Sequence, residues 1–240
     1  MQDRLGEVRD WYDTSYAESA LKAQRRYPNE EFARFLGRHF FDKPPEERDR
    51  IRILELGCGS CANLWVVARE GFDACGLDIA AESIRLGDEM IKSWGGRAEL
   101  RVGSMTEIPW ADESFDAVID VFSSCCLVEK DFGTCLAEVE RVLKAGGLFF
   151  SYTPGKGSDA YQNHAPAKLL DSSTLDGIRR IDSPFSGNLY PFRFVHPEEY
   201  AALIQDAGME VRYLETIRRS YRGRTEDFEH VVVEGLKVGT

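Results

Sequence analysis

Residues 53–63 read Ile-Leu-Glu-Leu-Gly-Cys-Gly-Ser-Cys-Ala-Asn, and no other stretch limits the fold as tightly. A short apolar run ends on two closely spaced glycines, and helix-forming residues follow from Ala62. Glycines between a strand and a helix let the backbone come close to a ligand, while the first helical turn offers unpaired N–H groups to an anion. The next strand-like run, Phe72 to Asp78, closes on an acid about twenty residues further on, where a carboxylate can accept two hydrogen bonds from a ribose diol. This pattern suits any adenosine-bearing ligand and does not by itself choose among them.

From Arg50 onward strands and helices alternate. Strand-like runs at Ile51–Leu56, Phe72–Asp78, Ala98–Val102, Phe115–Val121 and Leu148–Tyr152 are separated by helical segments at Ala62–Glu70 and Ala81–Trp94. A further helix face carries Phe132, Leu136, Val139 and Leu143, with Gly146-Gly147 expected to cap its end. Alternation of this kind predicts an α/β fold with a parallel sheet covered on both faces. His196-Pro197-Glu198-Glu199 starts a last helix that Gly208 stops, and Met209–Ile217 and Glu229–Val238 read as two final strands. Upstream, Phe32, Phe35, Leu36, His39 and Phe40 recur at helical spacing behind Asn29, a suitable N-cap, and Lys43-Pro44-Pro45 breaks that helix. His39 is therefore expected to pack in an apolar face.

Residues 154–191 are rich in Gly, Ser, Asp and Pro and show little periodicity. Compact domains rarely hold irregular connections this long unless they serve as lids or binding loops. The chain reads as one domain over 1–240: a helical lid region at 1–45, a ligand-binding core at 50–153, a binding-loop insertion at 154–191, and a final helix with two strands at 196–240.

Composition excludes several classes. With 43% hydrophobic and 30% charged residues, the 240-residue chain resembles a globular domain, not a disordered one. A formal charge of −11 disfavours sequence-independent binding to nucleic acid, because an acidic surface repels phosphates. The opening MQDRLGEVRDWYD lacks the apolar stretch of a secretion signal, and no run approaches the length of apolar residues needed to span a bilayer. Without such a signal the six cysteines read as reduced thiols, so a cytoplasmic protein is expected. Either a monomer or a homodimer is compatible with these features.

Three chemistries fit the glycine loop. Gly57-x-Gly59-x-x-Ala62 matches a dinucleotide fingerprint, which would suit a nicotinamide oxidoreductase. The accompanying Tyr152-x-x-x-Lys156 needs a helix to align its side chains, and Pro154-Gly155 between them forbids one. Cys58-Gly-Ser-Cys61 is a C-x-x-C at a strand-to-helix turn, where a helix N-terminus would acidify the first thiol for redox exchange. There is no second C-x-x-C, so no four-cysteine metal site is expected.

The third chemistry rests on a resemblance. Glu55-Leu-Gly57-Cys58-Gly59-Ser60 resembles the first motif of class I S-adenosylmethionine-dependent methyltransferases of the small-molecule type. Gly76-Leu-Asp78-Ile79 is similar to their second-strand acid, and Gly103-Ser104-Met105 through Pro109-Trp110 to their adenine-contacting segment. Ser114-Phe-Asp116 through Asp120 resembles their fourth strand, and Glu138 through Gly146-Gly147 the helix and turn before the fifth. The match covers roughly residues 50–153, and two positions depart from it: Cys61 stands where the family usually has glycine, and Ser104 where it usually has Asp. The resemblance implies a Rossmann-like doubly wound sheet of about seven strands, mostly parallel with the last antiparallel, and helices on both faces.

It further implies S-adenosyl-L-methionine as cofactor and S-adenosyl-L-homocysteine as product. Gly57, Cys58 and Gly59 would line the methionine moiety, Asp78 would hold the ribose diol, and Ser104 and Met105 would flank the adenine, with Glu55 and Ile79 as further cofactor-binding candidates. Asp120 and Val121 would lie near the methionine amino group, with Tyr16 and Arg26 as additional candidates from the N-terminal region. Methyl transfer is direct in-line displacement, governed mostly by alignment, and an oxygen acceptor also requires a base. His164, His196 and Glu129 are candidate bases, although each also reads as a surface or helix-entry residue.

On the acceptor side, Tyr12, Tyr161 and Tyr190 are candidate substrate contacts, with Phe185 and Phe192 as further apolar walls. Residues 212–224 carry five arginines against one glutamate; Arg218 and Arg219 in a hairpin at the sheet's carboxyl edge would attract an anionic metabolite or sugar derivative. An RNA acceptor, with the arginines as footprint, and a binding module without catalysis are the alternatives. The expected partner is a small molecule acting through O or N; nucleic acid and membrane are not.

Overall fold

A computed structural model describes residues 4–19 and 25–239. Three helices come first: α1 (Arg4–Ser19), α2 (Glu30–His39) and the short α3 (Pro45–Arg48). The core then runs β1 (Arg52–Leu56), α4 (Leu64–Arg69), β2 (Asp73–Asp78), α5 (Ala81–Ser93), β3 (Ala98–Val102), β4 (Phe115–Val121), α6 (Glu129–Val142) and β5 (Leu143–Pro154). An irregular segment with α7 (Asp159–Gln162), β6 (Thr174–Leu175) and β7 (Phe192–Arg193) leads to α8 (Pro197–Asp206), β8 (Met209–Tyr221) and β9 (Glu226–Lys237).

Seven strands form one sheet in the order β3-β2-β1-β4-β5-β9-β8. All neighbours among β1–β5 pair in parallel, and β9 runs antiparallel to both β5 and β8. This is a Rossmann-like doubly wound α/β fold with its last strand reversed. Strand order turns back between β1 and β4, and the carboxyl ends of strands beside such a switch point diverge to leave a crevice.

Period-two alternation decides which helix covers which face. Leu54, Val118 and Phe149 point into a core with Phe132, Leu136 and Val139 of α6 and Tyr200 and Ile204 of α8. Their chain neighbours Ile53, Ala117, Ile119 and Phe150 point to the other side, against Phe32 and Phe35 of α2, Leu64 and Val67 of α4, and Met90 and Ile91 of α5. Asn29 caps α2 as its sequence suggests, its side-chain oxygen accepting the Glu31 and Phe32 amides at 2.9 and 3.1 Å.

Two expectations change. Gly146-Gly147 does not end α6: the helix stops at Val142, Leu143 is already extended and pairs with Phe115, and the register then jumps to Ala117–Leu148. Gly146, with φ +77°, therefore belongs to a bulge inside β5. His39 packs its ring on Phe35 at 5.0 Å, yet it is partly exposed and its Nε2 lies 2.7 Å from Glu234 Oε2 on β9, so the face it occupies is not purely apolar. Among the described residues no helix is long and apolar enough to cross a membrane.

Candidate active site

The loop leaving β1 is held in a conformation that side chains resist. Gly57 and Gly59 have φ of +56° and +52°, and Cys61 adopts +61° despite carrying a side chain. A Cβ on Gly57 would collide with Ser123, and one on Gly59 would sit 2.6 Å from the Tyr16 hydroxyl. The Gly59 amide donates to Asp78 Oδ2 at 2.8 Å, and the Ala80 amide to Asp78 Oδ1 at 2.9 Å. Burial raises the Asp78 pKa, and these backbone donors oppose that rise.

Around this loop lies a cleft of about 220 Å³, lined by Tyr12 and Tyr16 of α1, Arg25, the loop itself, Asp78, Ile79, Met105, Val121, Phe122, Ser123 and Cys126. At one end Glu55 is buried, accepting from Asn63 Nδ2 at 2.6 Å through Oε1 while Oε2 has no partner. Burial pushes the Glu55 carboxyl up to about 8, against the opposing pull of Asn63 and the nearby Arg25. Arg25 Nη2 donates to Asn63 Oδ1 at 2.9 Å, so amide, acid and guanidinium form one group. At the other end a narrow recess runs between Leu77, Ile79, Gly103, Ser104, Met105 and Leu127. There Ser104 Oγ is engaged locally, 2.7 Å from Thr106 Oγ1.

Asp120 is placed differently from expectation. It is fully buried behind the cleft, where Oδ1 accepts from the amides of Ser123 and Ser124 and from Ser123 Oγ, and Oδ2 from Ser124 Oγ and Ser151 Oγ. With five donors the carboxylate is saturated, so Val121, Phe122 and Ser123 present the end of β4 to the cleft. Phe122 does so at φ +62°, a strained geometry for an aromatic residue.

Of the N-terminal candidates, Tyr12 and Tyr16 line the cleft. Arg26 does not: its carbonyl accepts the Trp65 indole N–H, and its neighbour Arg25 takes the place beside Asn63. Tyr190 is buried with its hydroxyl 2.9 Å from that of Tyr12. Tyr161 lies outside the cleft, bonded to the Ser172 carbonyl and packed on Phe194, and Phe185 and Phe192 are engaged in an aromatic cluster with Phe122 and Phe228.

The three candidate bases are elsewhere. His164 Nδ1 lies 2.7 Å from the Tyr161 carbonyl; His196 pairs with Glu198 at the start of α8; Glu129 is exposed and accepts from Ser172. The β8–β9 hairpin does stand at the carboxyl edge, yet its arginines are turned to local acids: Arg218 to Glu229 at 3.2 Å and Arg219 to Glu30 at 3.8 Å. Arg212 is near the opposite end of β8, beside Glu210. His230, absent from the sequence candidates, is buried at the same edge, stacked on Tyr152 at 4.8 Å and 5.7 Å from Phe122, with Nδ1 unpartnered. Burial lowers its pKa to about 4, so it is neutral at pH 7. A lone histidine between Glu229 and Val231 carries no local signal of that kind.

Thiol exchange is not supported. Cys58 and Cys61 are both buried, and Cys58 is raised well above the ordinary thiol range by its contact with Cys61, by burial and by Asp78 and Glu55. A reactive thiol requires the opposite shift.

Residues 53–147 match the family model described as a methyltransferase domain. Over 241 residues the chain is 26% identical to the biotin biosynthesis bifunctional protein BioHC of Cellvibrio japonicus, covering 95% of this chain and 43% of that protein. It is 29% identical over 171 residues to a ubiquinone biosynthesis O-methyltransferase of Rhizobium etli, covering 70% and 64%. The chain thus spans less than two thirds of either curated relative. Among solved structures, the Burkholderia thailandensis 1,6-didemethyltoxoflavin-N1-methyltransferase with bound S-adenosylhomocysteine has a TM-score of 0.68 at 14% identity, covering 100% of this chain and 92% of that one.

Proposed function

We propose, for a chain whose residues 53–147 belong to the methyltransferase-domain family on a class I fold, that the protein transfers a methyl group from S-adenosylmethionine to a small-molecule acceptor. One observation carries the choice of cofactor. The cleft sets a buried carboxyl with an unpartnered oxygen, Glu55, against the Arg25 guanidinium. An α-amino acid carries one charge of each sign on two groups bonded to the same carbon, and such a pair receives it: ammonium toward Glu55, carboxylate toward Arg25. A nicotinamide dinucleotide has no such group.

The remaining residues fit the rest of the cofactor. Asp78 stands where β2 ends, with lone pairs beyond the two backbone bonds left for a ribose diol. The Ser104–Met105 recess is narrow and mostly apolar, as a purine face requires. When bound, the cofactor supplies a methyl made electrophilic by its sulfonium. The chain's own contribution is to hold donor and acceptor in line and to exclude water, with Tyr12 and Tyr16 of α1 covering the cleft.

Calorimetry with S-adenosylmethionine, S-adenosylhomocysteine and NAD tests this directly. The first two are expected to bind, and Glu55→Gln and Arg25→Met each to weaken them by about tenfold or more. Binding of NAD alone would overturn the reading.

A further inference from the structure

Besides the Glu55–Arg25 group, the cleft is lined by the apolar Val8, Val121, Phe122 and Cys126 and by Tyr12, and Val8 and Cys126 extend into the recess beside Met105. Beside these apolar side chains stands the Tyr12 hydroxyl, 2.9 Å from Tyr190 Oη and 3.8 Å from Cys126 Sγ. From the transfer reaction proposed above, on which this rests, we infer that the Tyr12 hydroxyl, held by Tyr190 behind it, receives an ionised oxygen of the acceptor, a carboxylate or a phenolate carried on an apolar body.

The geometry supports this in three ways. Tyr190 Oη, buried and not among the cleft-lining residues, can donate to Tyr12 Oη, which leaves the Tyr12 proton for an acceptor in the cleft with Cys126 Sγ as its weak competitor. Both rings are fixed: Trp11 packs edge-on against Tyr12 at 5.0 Å and against Tyr190 at 4.9 Å, and Tyr12 stacks on Tyr16. Fixed neutral donors discriminate well for charge, because a hydrogen bond to an anion is about twice as strong as one to a neutral oxygen. Burial raises both hydroxyls well above their ordinary pKa, so they act as donors and not as bases.

Charge state and chemistry then agree. Among the described residues lining the cleft, the carboxylates are Glu55 and Asp78, both on the loop side. An acceptor that arrives ionised needs no base: its oxygen lone pair forms the new O–C bond while the S–C bond breaks and that bond's electron pair stays on sulfur. One negative and one positive charge are consumed, and no proton has to leave. The apolar walls select the body of the molecule, and the tyrosine pair positions its oxygen.

The test uses protein saturated with S-adenosylhomocysteine and two pairs of probes: decanoate against decanol, and 4-nitrophenol above its pKa against 4-nitroanisole. At least one anion is expected to bind about tenfold more tightly than its neutral counterpart, and the pair that responds tells carboxylate from phenolate. Tyr12→Phe and Tyr190→Phe should each bring that ratio close to one while S-adenosylhomocysteine affinity, the measure of intact folding, stays within about threefold. Equal binding of anion and neutral probe in the wild type, or a preference that survives both substitutions, overturns the inference and leaves the transfer reaction standing. Failure of S-adenosylhomocysteine itself to bind overturns both.

Discussion

The backbone amide of Gly59 donates to the carboxylate of Asp78 across 2.8 Å, tying the loop after β1 to the last residue of β2. The same carboxylate caps the next turn through Ala80. Asp78 thus holds the shape of the cleft before any ligand touches it, and in the function proposed above it also receives the ribose.

Asp78→Ala should therefore lower both stability and cofactor affinity. Loss of two charge-assisted bonds predicts a destabilisation of about 2–3 kcal/mol, with affinity falling more than stability alone explains. Asp78→Asn keeps one of the two backbone hydrogen bonds and sets its NH2 against the other donor, so it should recover only part of the stability and little of the affinity. Denaturant titration and calorimetry on the two variants separate the effects.

Asp120 lies outside the cleft and should behave differently. Removing a fully buried carboxylate with five donors leaves several polar groups unpaired, and Asp120→Ala should cost about 3–5 kcal/mol. At temperatures where the variant is folded, S-adenosylhomocysteine binding should be weakened only modestly, through Ser123. A variant as stable as wild type by urea denaturation would refute the assignment.

Gly87 sets local and tertiary effects against each other. In the middle of α5, Gly→Ala ordinarily gains about 1 kcal/mol. Here the new Cβ would lie 2.6 Å from Cys61 Sγ and 3.2 Å from the Gly59 carbonyl, both in the strained loop. Overpacking at about 1–3 kcal/mol should win, giving net destabilisation and weaker cofactor binding. Adding Cys61→Ala should restore part of the loss, which a double-mutant cycle in thermal unfolding would detect.

Glu55 and His230 give the stability curve two opposite slopes. Glu55 titrates near 8 in the fold and near 4.5 when unfolded, so the folded state binds the extra proton between those values. Stability contributed by neutral Glu55 is complete below about pH 4.5 and is lost as pH rises toward 8, and Glu55→Gln should abolish this decline. Cation binding near pH 7 should release a proton, visible as buffer-dependent binding heats.

His230 titrates near 4 in the fold against 6.5 unfolded. The unfolded chain binds more protons in that window, so stability falls as pH drops from 6.5 toward 4. His230→Phe should flatten that acid limb by up to about 3 kcal/mol, measured as stability against pH. An unchanged limb would place the acid sensitivity in other groups.

Local features were legible because their reasons are local. The glycines at 57 and 59 and the acid at 78 mark a strand–turn–helix unit whose spacing is set by backbone geometry, and the alternation of apolar runs predicts the order of strands and helices. Asn29 caps α2 through contacts two and three residues away. By contrast, Arg25 and Arg26 are adjacent and chemically alike, and nothing in their neighbourhood says which one faces Asn63. The five arginines at 212–224 read as a free basic patch, whereas Arg218 and Arg219 are turned to Glu229 and to Glu30 of α2.

Fold class, the glycine loop and the acid that closes β2 follow from residue order, because each is a short-range pattern that the chain must satisfy wherever it sits. Which side chains face the cleft was decided only when the sheet closed. Pairing β4 with β5 brings Ser151 to Asp120 and removes that acid from the site, and packing of α1 and residues 188–191 over the cleft brings Tyr12 within 2.9 Å of Tyr190, 178 positions away. Such contacts depend on strand register and helix docking, which are long-range energies with no signature in the residues next to either partner.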